Sequence, residues 1–114
     1  MTKKQAISIL LIVIAFISLS VVFLLNSAAP KFRVENRSPS PVHVVSYWRN
    51  ESKDLGLLNS GDIVIFEINA EAAMTFKVTL SNGEVIITEP MYFTSGTKIY
   101  AQINEKGVDV SSST

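Results

Sequence analysis

One histidine, His43, and ten carboxylates are the groups that acid–base or metal chemistry would draw on in this chain of 114 residues. Both chemistries need companions within hydrogen-bond or coordination reach, and a sequence announces them by spacing. His43 has no such companions. It lies between Val42 and Val44, and neither a His-Glu-x-x-His nor a Gly-x-Ser-x-Gly pattern occurs. Its plain reading is a strand histidine. The carboxylates come singly, at Glu35, Glu51, Asp54, Asp62, Glu67, Glu71, Glu84, Glu89, Glu105 and Asp109. Any ten carboxylates contain some pair, so pairing for glycoside hydrolysis carries no information. Asp54 and Asp62 lack the alternating oxygen ligands of a calcium loop. The glycines at 56, 61, 83, 96 and 107 are isolated turn residues, not a phosphate-cradling loop. The absence of cysteine removes thiolate catalysis, disulfides and Cys-based zinc sites. The expectation is a protein that is not an enzyme, with no catalytic residue, metal site or cofactor. Asn36-Arg37-Ser38 and Asn50-Glu51-Ser52 match the pattern of a glycan acceptor.

Recognition chemistry is better represented. Residues 42–49 read VHVVSYWR. Neighbours on a strand point to opposite faces, so Tyr47 and Trp48 cannot share one core. If Val44 and Trp48 face inward, Tyr47 is the exposed anchor; if Val45 and Tyr47 do, Trp48 is. Tyr92 and Tyr100 fall on the side away from Met91, Phe93, Ile99 and Ile103. Ile63 and Ile65 oppose Val64 and Phe66 in the same way, and Ile86 opposes Val85 and Ile87. Aromatics beside an arginine are the residue types enriched at binding hot spots. Tyr47, Trp48, Arg49, Tyr92 and Tyr100 are therefore the candidate protein-interaction patch. The competing reading scatters them over an ordinary surface, or covers them with the stretch 50–58.

The elements that must position these residues are strands. From Lys31 onward the apolar pattern has period two, with turns every eight to twelve residues. The clearest strand spans 74–80, with Met74, Phe76, Val78 and Leu80 facing the core and Thr75, Lys77 and Thr79 facing away. It runs into Asn82-Gly83, a strong hairpin signal because both residues tolerate positive φ, and then into 85–88. Further strands are expected at 32–36, 42–49, 63–68, 92–94, 98–103 and 108–110. Pro90 marks a bend or an edge. Residues 50–58 read as irregular and 111–114 as a frayed tail. No helix is expected after residue 30. About seven short strands in roughly 80 residues predict an all-β fold, a small Greek-key β-sandwich. It resembles immunoglobulin-like or transthyretin-like architectures in strand count alone, since the Cys and Trp spacing of antibody domains is absent.

Residues 6–25, AISILLIVIAFISLSVVFLL, contain no charge. As a helix they extend ~30 Å, about the thickness of the hydrocarbon core of a bilayer. A secretory signal has a shorter apolar stretch, and the cuts available near Ala28-Ala29 are poor: one leaves Pro30 first, the other places Asn26 where a small residue is wanted. The expectation is a retained, single-pass signal-anchor helix in the cell (inner or plasma) membrane. The organisation is then a cytoplasmic tail at 1–5, the span at 6–25, a linker at 26–31, an extracytoplasmic domain at 32–110 and the tail at 111–114. Basic residues flank both ends of the span and nearly tie. The Lys3-Lys4 start and the β-rich remainder favour the N-terminus inside and the domain outside, periplasmic or extracellular. The alternative is cleavage near Ala28-Ala29, which releases a soluble β-sandwich that binds a ligand or acts as an inhibitor. After the span the chain carries eight basic and ten acidic residues, a net charge of about −2 (eight minus ten), unlike the basic surface that nucleic acids require. The expected partners are the bilayer, through residues 6–25, and another envelope protein.

Overall fold

The computed structural model describes residues 29–114. The span expected at 6–25 lies outside the described residues. Nine strands follow in chain order: β1 Lys31–Asn36, β2 Val42–Trp48, β3 Glu51–Leu58, β4 Ile63–Glu67, β5 Ala72–Thr79, β6 Val85–Ile87, β7 Met91–Phe93, β8 Lys98–Asn104 and β9 Gly107–Ser113. They build an all-β, two-sheet sandwich. One sheet has the order β4-β1-β8-β9. The other has the order β3-β2-β5-β6, with β7 also paired to β5.

Period-two patterning explains why the sheets close on each other. Phe32, Val34, Ile99, Ala101 and Ile103 of the first sheet are buried together with Val44, Met74, Phe76, Val78 and Phe93 of the second. Phe32 stacks on Phe66 of its own sheet at 5.0 Å. It also meets Phe93 of the other sheet edge-on at 4.9 Å, so the layers interlock through one ring. The inward set of β5 is as the alternation predicts, with Met74, Phe76 and Val78 buried and Leu80 half-buried beyond the strand end. β1 is a central strand. It pairs antiparallel with β4 and parallel with β8, which joins the start of the domain to its last quarter.

Four expectations need correction. Residues 50–58 are not irregular: Glu51–Leu58 forms β3, an edge strand on β2. A bulge interrupts its register, with Gly56 opposite Val44 and Asp54 opposite Val45, so Leu55 is an extra residue. That insertion breaks the alternation by which a strand is recognised. The pairing of β9 continues through Ser113, where a frayed tail is expected from 111 onward. In the hairpin after β5, Gly83 has positive φ and Asn82 does not. Gly83 N donates to Leu80 O and Leu80 N to Glu84 O, which closes a three-residue loop, while the Asn82 side chain accepts from Glu84 N. Finally, Asn36 is fully buried, which removes it as a glycan acceptor in the folded protein. Its Nδ2 donates to the carbonyls of Ser40 and Leu58, and its Oδ1 accepts from Ser38 N and lies 2.6 Å from Ser38 Oγ.

β6 and β7 are two halves of one interrupted edge. Both pair with β5 on the side away from β2. In the gap, Thr88 N donates to Phe76 O, and Phe76 N donates to Thr88 Oγ1. Pro90 follows where an edge tolerates a missing donor, as its position predicts.

Candidate interaction surface

The end of the sandwich where the chain enters is closed by three connections: the turn after β2, residues 68–71 between β4 and β5, and residues 94–97 between β7 and β8. Trp48 pairs with Glu51, so Arg49 and Asn50 form a two-residue hairpin loop. Such loops need positive φ, and Arg49 supplies it at φ 51. Among the described residues it is the one non-glycine in that region, which the Cβ makes unfavourable. This backbone throws the guanidinium across the end of the sheet, where Nη2 donates to the Glu71 carbonyl. Tyr92, from β7, donates its hydroxyl to the Glu71 carboxylate. Glu71 thus ties together side chains from the turn after β2 and from β7, a strand that does not pair with β2.

β2 resolves its own ambiguity. Val44 and Trp48 are in the core, and Tyr47 is 39% exposed. Tyr47 lies opposite Thr75 of β5, and Tyr92 lies opposite Ala73 of the same strand. The two tyrosines therefore project from the outer face of one sheet, separated by one strand whose outward residues there are small. At ~4.8 Å per strand they stand about 10 Å apart across the sheet. Further from the chain entry, the same face carries Leu57, Val85 and Ile87 at its two edges, with His43, Asp54, Lys77 and Thr79 between them.

The five residues of the expected patch thus divide. Tyr47, Arg49 and Tyr92 come together on one face and its adjoining turn. Trp48 is inside the sandwich at 9% exposure. Tyr100 projects from the other sheet, beside Arg33 and Ile65. Glu71 is the member that sequence reasoning passes over. A lone acid in a loop sends no signal, because its partners are 22 and 21 residues away along the chain.

Of the groups that first suggest chemistry, His43 and Asp54 meet on the outer face of the sheet that carries Tyr47 and Tyr92. His43 Nε2 donates to Asp54 Oδ1 at 2.7 Å across β2 and β3. The same oxygen accepts from Gly56 N at 2.8 Å. That amide and the imidazole hold the Asp54 carboxyl below its ordinary pKa, the amide contributing most. Asp54 thereby fastens the bulge in which Gly56 adopts φ 81. The pair is open to solvent, and among the described residues no cluster of three potential metal ligands occurs.

Comparison with known proteins gives a fold and no family. No protein-family model matches the chain, and no curated protein matches it. Among solved structures, it is similar to a protein from Eubacterium rectale determined by NMR, with a TM-score of 0.56, 19% identity, and coverage of 74% of this chain and 87% of that one. It is also similar to a protein from Bacteroides uniformis ATCC 8492, provisionally named a cell adhesion protein, with a TM-score of 0.51, 15% identity, and coverage of 75% of this chain. The match spans 49% of that second protein, about half its length. At these identities the likeness is one of fold.

Proposed function

We propose that this chain is a membrane-anchored protein that presents a small β-sandwich outside the cell membrane as a protein-binding or assembly module of the envelope, and that it is not an enzyme. In this reading residues 6–25 form the single span, the N-terminus is cytoplasmic, and the sandwich is a Greek-key relative of the immunoglobulin-like or transthyretin-like architectures. The observation that carries it is the convergence of Tyr47 and Tyr92 on one sheet face with Arg49 in the adjoining turn, Arg49 and Tyr92 being held by Glu71. Tyrosine and arginine supply large contact area and fixed donors at protein interfaces. The provisional adhesion name of the Bacteroides protein agrees with a binding role.

The test pairs folding with recognition. Tyr47→Ala and Tyr92→Ala are compared with the parent for thermal unfolding, and for the envelope protein that co-purifies from the source membranes and rebinds after separate purification. The reading requires both variants to fold and at least one to lose that protein, while Leu57→Ala on the same face keeps it. Carbonate extraction tests the anchor. A chain released at the mass of one starting near Pro30 favours the cleaved, soluble alternative.

A further inference from the structure

The outer face of the β4-β1-β8-β9 sheet is electrically polar along its length. Three rows of residues, fixed by strand register, run across it from the chain-entry end. The first is Glu67–Lys31–Lys98–Ser113, the second Ile65–Arg33–Tyr100–Ser111 and the third Ile63–Glu35–Gln102–Asp109. The first two rows hold three cations and one acid; the third holds two acids, of which Glu35 pairs with Arg37 at 3.1 Å. Among the described residues, Lys31, Arg33 and Lys98 form no ion pair. Residues 1–28 contain no acidic side chain that could supply one. The cations surround a shallow groove that Ile65 and Tyr100 also line, and Ile65 is 69% exposed.

The chain itself restricts what this basic end can meet. Its entry is fixed, since Pro30 O accepts from Ile68 N and Lys31 N donates to Thr97 O. Only residues 26–30 separate Lys31 from the apolar run, a reach of at most about 17 Å for five extended residues. Arg33 lies roughly 7 Å beyond Lys31 along the strand. The basic end is therefore the end of the sandwich tethered nearest the surface that holds the span. Even with the linker fully extended it stands about two to three Debye lengths away (~8 Å each at physiological ionic strength), any slack in the linker brings it closer, and the acidic row points away.

We infer that this face rests on the bilayer: Lys31, Arg33 and Lys98 engage anionic lipid headgroups of the membrane that holds residues 6–25, with Ile65 and Tyr100 at the interface. The inference rests on the anchored reading given above. Lysine and arginine near an anionic surface are attracted through their charge, and tyrosine favours the headgroup level. The sandwich then lies tilted on the membrane, and the opposite face, with Tyr47 and Tyr92, is turned outward toward partners.

The chain lacks cysteine, so one introduced thiol is a unique probe. The full-length Ile65→Cys and Leu57→Cys variants are placed in vesicles of phosphatidylcholine alone or of phosphatidylcholine with phosphatidylglycerol, and reacted with a membrane-impermeant maleimide. The expected result is that Ile65→Cys reacts about tenfold more slowly in the anionic vesicles at low salt. Leu57→Cys, on the other sheet at a site 66% exposed, reacts alike in both. High salt restores the rate without altering the protein, and so does combining Lys31→Gln, Arg33→Gln and Lys98→Gln. Equal rates at Ile65→Cys in both lipids, or equal slowing at both sites, overturn the inference while a carbonate-resistant chain leaves the anchor standing. A chain that carbonate releases overturns the anchored reading, and this inference with it.

Discussion

Asn36 and Arg49 stand at opposite ends of the sandwich, and each gathers side chains from separate elements, yet the two corners differ in kind. Asn36 is wholly excluded from solvent and has its amide hydrogens and carbonyl oxygen satisfied by residues 38–58. Arg49 is exposed, holds an unfavourable backbone, and reaches a loop carbonyl in contact with water. A buried polar corner is expensive to disturb, because its partners cannot turn to solvent instead. An exposed corner is inexpensive to disturb and free to act on something else. The residue types alone do not separate the two; burial does.

The comparison has a ceiling set by the apolar core. Phe76→Ala empties the middle of β5 and is expected to cost about 3 to 5 kcal/mol, enough to unfold a small domain. Chemical denaturation followed by the emission of Trp48, the one tryptophan and a core residue, measures it. Thr79→Ala, on the outward side of the same strand, is expected to change little. Equal effects would mean that the two faces of β5 are exchanged.

Next comes the buried corner. Asn36→Ala leaves the Leu58 and Ser40 carbonyls and the Ser38 amide without that partner, for an expected loss of about 3 kcal/mol. The same denaturation assay reads it, and a loss below that of an ordinary surface substitution would make the two corners equivalent. Arg49→Gly removes strain of about 1 kcal/mol at φ 51, while freeing the unfolded chain costs about 0.5 to 1 kcal/mol, so the two effects oppose each other. Stability is therefore expected to stay within about 0.5 kcal/mol of the parent. Co-purification of the partner is expected to fall, and a variant that binds as well as the parent would reduce Arg49 to a turn residue.

The smallest effect concerns Asp54. Its pKa is lower in the folded chain, so its carboxylate adds stability that is present above the unfolded value and disappears as pH falls through the folded one. Asp54→Asn should lower stability slightly at neutral pH and leave it unchanged well below the folded pKa, which flattens the acid side of the profile; the effect is small because the group lies in solvent. An unchanged acid limb would separate the bulge from its aspartate.

The candidate face was half legible in advance. Alternation shows that Tyr47 and Trp48 must part, but it cannot say which one enters the core, since both are large and amphipathic. The choice is made by Val44 packing between the sheets. β3 was hidden because it is an edge strand, polar on its exposed side and shifted by one residue at Gly56. Asn36 looked like a modification site because the three-residue pattern says nothing about burial.

What the sequence determined by itself follows from local physics. Period-two patterning from Lys31 onward made strands, Gly83 made a hairpin, Pro90 made an edge, and the absence of spaced ligands left no expectation of chemistry. Tertiary structure decided the rest. It placed β1 between β4 and β8, brought Tyr92 and Arg49 to Glu71, and gathered three cations at the end where the chain enters. Those relations join residues 20 to 70 positions apart, and no local propensity encodes them. They exist because two sheets must bury one apolar face each, and the packing that accomplishes this also fixes what the outer faces bring together.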